Sequence, residues 1–270
     1  MSIADLSAVP ISDLISLQGR RAVVTGGSMG IGYAIARRLA EAGASVLVGD
    51  IGDAEKPAEA IAAEFDATVI GCPLDVSDAA SIAACARRAR DDLGGLDIWV
   101  NNAGIYPSKP LLELTDQDWD RVLDVNLRGT FIGAREAARS MIEVGHGGVI
   151  INLASTAGFK AGGPGVAHYV SSKHAVIGLT KSLAVELGPH DIRVLAIAPT
   201  LIKTPGIDAG EAAFRAAGLG DLLDSYGQRL PLRRVGVSDD VARVALFCAS
   251  DLALFMTGST LLVDGGDVAV

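Results

Sequence analysis

The sequence Thr25-Gly26-Gly27-Ser28-Met29-Gly30-Ile31-Gly32 separates a short apolar run, residues 21–24, from a stretch with the apolar spacing of an α-helix. This order predicts a strand, a glycine-rich turn and a helix N-terminus without a gap between them. Backbone N–H groups and the positive end of the helix can then face an anion. The stretch therefore predicts a site for a dinucleotide pyrophosphate, although an ordinary tight strand-to-helix turn is also rich in glycine.

The glycines of this loop are spaced as Gly26-x-x-x-Gly30-x-Gly32. The general dinucleotide-binding fingerprint is Gly-x-Gly-x-x-Gly. The loop does not match it, because the third glycine after Gly30 and Gly32 would have to stand where Ile35 is. The spacing thus indicates a variant of the phosphate-binding turn.

Strand-like and helix-like runs alternate through the whole chain. Strands are predicted at residues 22–25, 45–50, 67–73, 97–100, 148–153, 192–198 and 260–263. Helices are predicted at residues 29–42, 55–65, 168–187 and 238–248, together with one capped by Asp78 that reaches 93 and one capped by Asp116 that reaches 144. Apolar strands separated by helices indicate a parallel sheet covered on both faces. The sequence predicts an α/β fold with one doubly wound sheet in three α/β/α layers.

Three regions are expected along the chain. Residues 1–18 read as an N-terminal leader that packs on the surface or is partly disordered, and residues 19–270 as a single domain. Residues 199–236 are rich in glycine and proline and break the alternation. A long connection at the carboxyl edge of a parallel sheet is typical of a substrate loop. The alternative for this segment is a poorly packed surface insertion.

Composition limits the classes of function. The chain has 270 residues, of which 50% are hydrophobic and 20% charged, and a net charge of -9. This acidic balance argues against nucleic acid or an anionic membrane surface as a partner. No apolar run is long enough for a membrane span, and no basic residue precedes Arg20, so a signal peptide is not expected.

The three cysteines, Cys72, Cys85 and Cys248, are far apart and odd in number. A disulfide framework and a zinc cluster are therefore not expected, and no H-E-x-x-H motif suggests a metal site. A reducing compartment, the cytoplasm, fits this usage of cysteine.

Polar residues that follow predicted strands are the candidate cofactor ligands. Asp50 ends the second strand, where a carboxylate can accept both hydroxyls of an adenine ribose and would repel a 2′-phosphate. No Arg or Lys stands in the glycine loop or beside Asp50, so the sequence favours NAD over NADP. The alternative is a solvated aspartate at a strand end or at a helix cap.

Two further groups follow the third and fourth strands. Asp75 and Val76 are placed to bind an adenine, or to form a turn. The stretch Asn101-Asn102-Ala103-Gly104 combines amides with small residues that allow a cofactor to approach. Its alternative is an asparagine-rich turn.

Tyr169 and Lys173 are four residues apart in a predicted helix and stand on one face. A nearby ammonium lowers the pKa of a phenol from about 10, so the pair can supply a proton acceptor near neutral pH. Ser155 follows the fifth strand and could hold a substrate oxygen beside Tyr169. Asn126 lies inside a predicted helix, where it could open the helix and position a water beside Lys173, or be an exposed polar residue.

In this order the motifs resemble those of the short-chain dehydrogenase/reductase family of the classical type, over residues 17–266. The resemblance implies a Rossmann-type sheet of seven strands and a nicotinamide cofactor. Tyr169 would be the general acid/base, and Lys173 would bind the nicotinamide ribose and lower the pKa of the tyrosine. Ser155 would orient the substrate oxygen, and Asn126 would hold a water of the proton relay.

The cofactor-binding set expected from the motifs and the resemblance follows the ends of the strands. It consists of Gly26, Ser28, Met29, Gly30, Ile31, Gly32, Asp50, Ile51, Asp75, Val76, Asn102, Ala103, Gly104, Tyr169, Lys173, Pro199, Thr200, Ile202 and Thr204. One residue departs from the family: Pro-Gly is frequent after the sixth strand, and here the sequence is Pro199-Thr200. The contacts of Thr200 are therefore the least secure part of the set.

The activity expected is reversible hydride transfer between NAD and a secondary alcohol or ketone. The residues placed where they could line a substrate pocket are Ile105, Tyr106, Phe159, Val166, His168, Ile202, Ile207, Leu222, Leu223 and Tyr226, and Tyr106, Phe159, His168 and Ile207 are the substrate candidates. The set is mostly apolar, which suggests a neutral cyclic, aromatic or aliphatic alcohol, with a polyol as a further possibility. His168 is alternatively a capping or solvated histidine.

Three other functions stay open at this point. One is an NADPH-dependent carbonyl or 3-oxoacyl reductase of the same family, against which Asp50 argues. Another is an extended-type epimerase or dehydratase, whose glycine spacing this loop lacks. The third is a non-catalytic NAD-binding protein, against which the intact Ser155, Tyr169 and Lys173 argue. The resemblance also implies a homotetramer, or a homodimer, built from helices 117–144 and 168–187 and from residues 263–266.

Overall fold

The computed structural model describes residues 5–207 and 222–270. Within these residues, the strands are β1 (Arg21–Thr25), β2 (Ser45–Asp50), β3 (Val69–Pro73), β4 (Ile98–Asn101), β5 (Gly148–Leu153), β6 (Ile192–Pro199), β7 (Ile202–Lys203), β8 (Gly236–Val237) and β9 (Thr260–Val263). The α-helices are α1 (Ile11–Ile15), α2 (Gly30–Glu41), α3 (Glu55–Phe65), α4 (Ala79–Leu93), α5 (Asp116–Leu123), α6 (Gly129–Val144), α7 (Ala167–Leu187), α8 (Leu222–Arg229) and α9 (Ser238–Ala249).

Seven of these strands form one sheet in the order β3-β2-β1-β4-β5-β6-β9, and every neighbouring pair is parallel. The chain builds outward from β1 in one direction and then, from β4, in the other. The predicted α/β fold with one doubly wound, seven-stranded Rossmann-type sheet is confirmed. The reversal between β1 and β4 is the switch point at which such sheets bind ligands.

The core has one part on each face of the sheet, because successive strand residues point to opposite sides. Val24 and Val48 pack against α2, α3 and α9 on one face. Val23, Leu47 and Trp99 pack against α4, α6 and α7 on the other face. These side chains have no exposed surface. The sheet is therefore covered on both faces, as the apolar strands predicted.

The predicted helix from 116 to 144 is divided into α5 and α6 by a π-turn, Asp124–Arg128. Its N-cap is Thr115, so the prediction of Asp116 as the cap is wrong. Thr115 and Asp118 form a capping box, in which the Asp118 N–H donates to Thr115 Oγ1 over 3.2 Å and the Thr115 N–H donates to Asp118 over 3.1 Å. Asp78 does cap α4, accepting from the Ala80 N–H over 2.9 Å.

The described residues of the two irregular regions make regular contacts with the rest of the chain. Leu17 is 1% exposed and its N–H donates to the Ala42 carbonyl over 2.8 Å, so the chain joins the core before residue 18. In the 199–236 segment, β7 and β8 form a parallel pair and α8 lies between them in sequence. Residues 208–221 of the predicted substrate loop lie outside the described part.

A buried polar network fixes α7 to the sheet. Asn101 Nδ2 donates to Asn152 Oδ1 over 2.9 Å, and Asn152 Nδ2 donates to Thr180 Oγ1 over 3.0 Å. All three side chains are buried. Because buried amides are stable only when paired, this network determines how the helix that carries Tyr169 and Lys173 sits on the sheet.

Candidate active site

The glycine loop between β1 and α2 is held tightly by the loop that follows β4. Asn102 Nδ2 donates to the carbonyls of Thr25 and Gly26, over 2.9 Å in both cases. Gly26 has φ +62°, a conformation that glycine adopts without strain. A Cβ on Gly32 would collide with the Gly26 carbonyl and with Asn102. Two of the three motif glycines are thus required by the closed shape of this loop.

The N-terminus of α2 has no side-chain cap. Its first N–H groups are therefore free to meet an anion at the positive end of the helix. Thr204 lies beside this end, since a Cβ on Gly30 would be 3.4 Å from the Thr204 side chain. Ser28 and Ile31 are half-buried and Met29 is exposed. These residues fit the predicted pyrophosphate site.

Asp50 lies at the carboxyl end of β2, against the glycine loop. Its carboxylate accepts from Ser28 Oγ over 2.6 Å and from the Ser28 N–H over 3.1 Å. The other oxygen accepts from the Gly52 N–H over 3.0 Å. No Lys or Arg is hydrogen-bonded to Asp50 within the described residues. The carboxylate is thus anchored to the glycine loop at the end of β2, and its ribose-binding role remains a prediction.

The residues expected around an adenine lie at the ends of β2 and β3. Ile51 is 79% exposed and Val76 is half-buried. One carboxylate oxygen of Asp75 accepts from the Ser77 N–H over 2.8 Å and from Ser77 Oγ over 2.7 Å. Asp75 thus forms the turn that was its alternative, and only its second oxygen is left for a ligand.

The two asparagines at the end of β4 have different contacts. Asn101 faces the core, where its Oδ1 accepts from Trp99 Nε1 over 2.7 Å, so this amide does not face a cofactor. Asn102 and Ala103 face the glycine loop, and both of their N–H groups donate to Thr25 Oγ1 over 3.0 Å. The cofactor role predicted for the stretch is therefore open to Asn102, Ala103 and Gly104 alone.

Tyr169 meets Ser155 at the carboxyl end of β5. The Ser155 side chain is near enough to the Tyr169 hydroxyl to act against a rise in its pKa. Ser155 Oγ also accepts from the Ala157 N–H over 3.1 Å, which fixes the serine at the start of the turn Thr156–Gly158. Burial raises the pKa of Tyr169, while the Ser155 side chain opposes this and nearby Tyr106 adds to it. The expected lowering of this pKa is not a property of the chain alone.

Lys173 lies one turn further along α7 and is buried, with 6% of its surface exposed. Its Nζ donates to the Leu153 carbonyl over 2.6 Å and is 5.8 Å from the centre of the Tyr169 ring. Burial lowers the pKa of Lys173 to about 8. An ammonium has three donors, and the Leu153 carbonyl accepts one of them. The others fit a pair of ribose hydroxyls.

Asn126 sits in the π-turn and is 1% exposed, so the alternative of an exposed polar residue is wrong. Its Oδ1 accepts from the Ile105 N–H over 2.8 Å, and its Nδ2 donates to the Ile105 carbonyl over 2.9 Å and to Ser172 Oγ over 3.2 Å. A Cβ on Gly104 would be 3.2 Å from Asn126 Oδ1 and 3.8 Å from Lys173 Nζ. Asn126 therefore opens the helix as predicted and lies near Lys173, while the water remains a prediction.

The substrate candidates are placed less uniformly. Tyr106 and Phe159 are exposed, and the Tyr106 ring stands edge-on to Tyr169 at 6.5 Å between ring centres. His168 has no exposed surface, and its Nδ1 accepts from the Tyr169 N–H over 2.9 Å. Its solvated alternative is wrong, and the N-cap of α7 is Val166, without a side-chain cap. Ile207 is half-buried beside Thr204, and the side chain of Leu222 lies outside the described part.

The residues after β6 explain the departure from the family pattern. Ile202 is buried in the core, so its side chain cannot contact a ligand directly. Pro199 is also buried, at the end of β6. Thr200 Oγ1 donates to Asp267 over 2.8 Å and contacts the Tyr226 hydroxyl at 2.9 Å, which directs this side chain toward the C-terminal segment. Asp267 and its partner Lys160 are not predicted from the sequence, in which the unusual Thr200 is the one residue that points to them.

Other proteins share this fold and these motifs. The family model described as Enoyl-(Acyl carrier protein) reductase matches residues 26–267. The chain is 38% identical to the 3-oxoacyl-acyl-carrier-protein reductase FabG of Aquifex aeolicus, over 93% of this chain and 98% of that protein. It is 37% identical to the sorbitol dehydrogenase of Cereibacter sphaeroides, with the same coverage. A structure from Agrobacterium tumefaciens that holds NADP superposes with a TM-score of 0.83 at 37% identity, over 96% of this chain and 100% of that one.

The fold and the site define a Rossmann-type oxidoreductase for nicotinamide cofactors. The chain belongs to the short-chain dehydrogenase/reductase family, of the classical type. Within the described ranges, no helix has both the length and the hydropathy to cross a membrane. Among the same residues, no three His, Cys, Asp or Glu side chains are grouped as a metal site.

Burial of Lys173 gives a pH-dependent stability that can be measured. The pKa of Lys173 is about 8 in the folded chain and about 10.4 in the unfolded chain. Between these pH values the unfolded state binds more protons than the folded state. The free energy of unfolding therefore increases as the pH rises through this range. Lys173→Met lacks this gain. We expect the stability of Lys173→Met relative to the wild type to fall by about 2 kcal/mol between about pH 7 and about pH 9.5.

Urea unfolding of both proteins at each pH measures this difference. Lys181→Met, which removes an exposed lysine from the same helix, is the control for loss of a lysine as such. A difference between Lys173→Met and the wild type that stays constant across this range would contradict the lowered pKa.

Proposed function

We propose that the protein is an NAD-dependent oxidoreductase that interconverts a secondary alcohol and the corresponding ketone. The observation that carries this proposal is the arrangement of Tyr169, Ser155 and Lys173. The tyrosine hydroxyl lies near Ser155, and the Lys173 ammonium is 5.8 Å from the tyrosine ring and donates to the Leu153 carbonyl, which leaves further donors for a ligand. A non-catalytic NAD-binding protein would have no need of this arrangement.

Ser155, Tyr169 and Lys173 have different roles in the proposed reaction. Ser155 donates a hydrogen bond to the substrate oxygen and so brings it to the Tyr169 hydroxyl. In oxidation Tyr169 accepts the alcohol proton, and in reduction it returns a proton to the carbonyl oxygen. Lys173 would hold the ribose of a bound nicotinamide cofactor, and its charge favours the phenolate. A bound nicotinamide would supply the hydride acceptor for oxidation of the substrate carbon and the hydride donor for its reduction.

Asp50 supports NAD as the cofactor. Its carboxylate is fixed by Ser28 and Gly52 at the end of β2, where both hydroxyls of an adenine ribose would meet it. A 2′-phosphate there would meet a negative charge, which is unfavourable. The Agrobacterium structure holds NADP, so the family membership alone does not decide this choice.

A neutral substrate fits the aromatic residues near Tyr169. Tyr106 and Phe159 are exposed at this edge and offer apolar surface. The sorbitol dehydrogenase relative is consistent with an alcohol or polyol. The FabG relative favours the second candidate, a carbonyl or 3-oxoacyl reductase that uses the same Tyr169 chemistry with NADPH. The choice between the two rests on Asp50.

We also propose that two or four copies assemble, in the cytoplasm. Phe131 on α6 is 42% exposed, and Phe255 and Leu262 near the C-terminus are 104% and 45% exposed. Phe131 lies in the helix 117–144 that the family resemblance assigns to an interface, and Leu262 directly precedes residues 263–266, which it assigns to another. The three cysteines are unpaired thiols, which fits a reducing compartment.

Tyr169→Phe tests the proposed chemistry. The change removes the proton-transfer group and keeps the ring, so kcat for alcohol oxidation should fall by about 100- to 10,000-fold. The assay is NADH formation from a panel of secondary alcohols, diols and polyols, and NADH binding followed by fluorescence should stay unchanged. Turnover close to that of the wild type in Tyr169→Phe would refute the assigned role.

Asp50→Ala tests the choice of cofactor. The wild type should prefer NAD over NADP in kcat/KM, and loss of the carboxylate should reduce that preference by about 10- to 100-fold, because the repulsion of the 2′-phosphate is removed. Asp53→Asn changes a nearby carboxylate that caps the start of α3 through the Glu55 N–H, and it should leave the preference as it is. A wild type that prefers NADP would overturn the role of Asp50.

A further inference from the structure

Asp267 forms a compact polar cluster outside the catalytic residues. The residue is 6% exposed. Its Oδ2 accepts from Thr200 Oγ1 over 2.8 Å and from the Tyr226 hydroxyl over 3.0 Å. Its Oδ1 accepts from Lys160 Nζ over 2.7 Å. Burial alone would raise the pKa of Asp267, but the hydrogen bonds from Lys160, Thr200 and Tyr226 hold it below its ordinary value.

The four residues belong to four different segments of the candidate site. The Lys160 N–H donates to the Thr156 carbonyl over 3.1 Å, so Lys160 is attached to the turn that begins at Ser155. Thr200 directly follows β6, and Tyr226 lies on α8. Asp267 thus joins the serine turn, the end of β6 and helix α8.

The segment that presents Asp267 is itself well fixed. Asp264 accepts from the Gly266 N–H over 3.0 Å and from the Val268 N–H over 2.9 Å. The Leu232 N–H donates to the Gly265 carbonyl over 3.1 Å. A Cβ on Gly266 would meet the Pro231 ring at 2.6 Å. The C-terminal turn therefore packs closely on the chain that follows α8, and it forms a rigid support for the carboxylate.

The hydrogen bonds decide what Tyr226 can offer to a ligand. Thr200 and Tyr226 each have one hydroxyl proton, and the hydroxyls contact each other at 2.9 Å as well as Asp267. Their donors are used within the cluster. Tyr226 thus keeps its ring, rather than its hydroxyl, for contact with a substrate, and its position is set by Asp267.

We propose that Asp267 is a positioning residue for the substrate: held by Lys160, it fixes the Tyr226 ring and helix α8 relative to Ser155, so that they form a preset apolar wall for a neutral substrate. This inference rests on the proposed function. Asp267 itself does not contact the reacting atoms, so its loss should weaken substrate binding more than it slows turnover.

A double-mutant cycle of Asp267→Asn and Tyr226→Phe tests the inference. Tyr226→Phe removes only the hydroxyl. Each single change should raise KM for the best alcohol of the panel about three- to tenfold, while kcat stays within about twofold and the affinity for NADH is unchanged. The KM of the double variant should be no higher than that of the more impaired single variant, because both changes remove the same hydrogen bond.

Two further variants sharpen the test. Thr200→Val keeps the shape of the side chain and removes its hydroxyl, and it should raise KM in the same way. Asp264→Asn loosens the turn that supports Asp267, so its effect on KM should also not multiply with that of Tyr226→Phe.

Multiplicative effects of Asp267→Asn and Tyr226→Phe, or a loss of kcat with KM unchanged, would overturn the inference while the proposed function stands. A wild type that turns over no alcohol of the panel with either cofactor would overturn the proposed function, and the inference with it.

Discussion

Parallel pairing of β4 with both β1 and β5 is the constraint on which the site depends. The register sets Val24 beside Val100 and Asn101 beside Asn152, so the loops after these strands leave the sheet at one edge. Asn102 can then close the glycine loop from one side, and Ser155 can meet Tyr169 on the other. The buried amides of Asn101 and Asn152 lock this register, because a shifted pairing would leave them without partners in the core.

Burial shifts the pKa values of the two central groups, Tyr169 and Lys173, in opposite directions, and both shifts favour the uncharged form. It raises the pKa of Tyr169 and lowers that of Lys173, so both are pushed toward their neutral forms. The chain alone therefore holds the tyrosine as a phenol. A positively charged nicotinamide next to the phenol would favour the phenolate, which means that the base would be made only when the oxidised cofactor is present. The site would then contain no phenolate while the oxidised cofactor is absent.

The sequence predicted the fold well, because the strands and helices depend on local patterns. Apolar strands such as Ser45–Asp50 and Gly148–Leu153 have the predicted bounds, and the doubly wound sheet follows from their alternation with helices. The catalytic group could be chosen because helical spacing puts Tyr169 and Lys173 on one face. Asn126 was singled out because an asparagine is unfavourable in a regular α-helix. The structure places it in a π-turn, where the regular helix is interrupted.

The remaining features depend on contacts between distant segments, which local patterns do not contain. Asp267 meets Lys160 across 107 positions of the chain and Thr200 across 67. The cap at Thr115 was missed because three acidic residues follow closely and any of them could serve. The direction of the pKa of Tyr169 was also beyond the sequence, since it depends on how deeply the side chain is buried.

Titration of tyrosinate absorbance with and without saturating NAD tests the central claim most directly, namely that Tyr169 becomes the proton acceptor next to the bound cofactor. The account predicts that NAD causes one tyrosine to ionise at lower pH than in the free protein, and that this change is missing in Tyr169→Phe. A titration that NAD does not alter, or an equal change in Tyr169→Phe, would contradict the account.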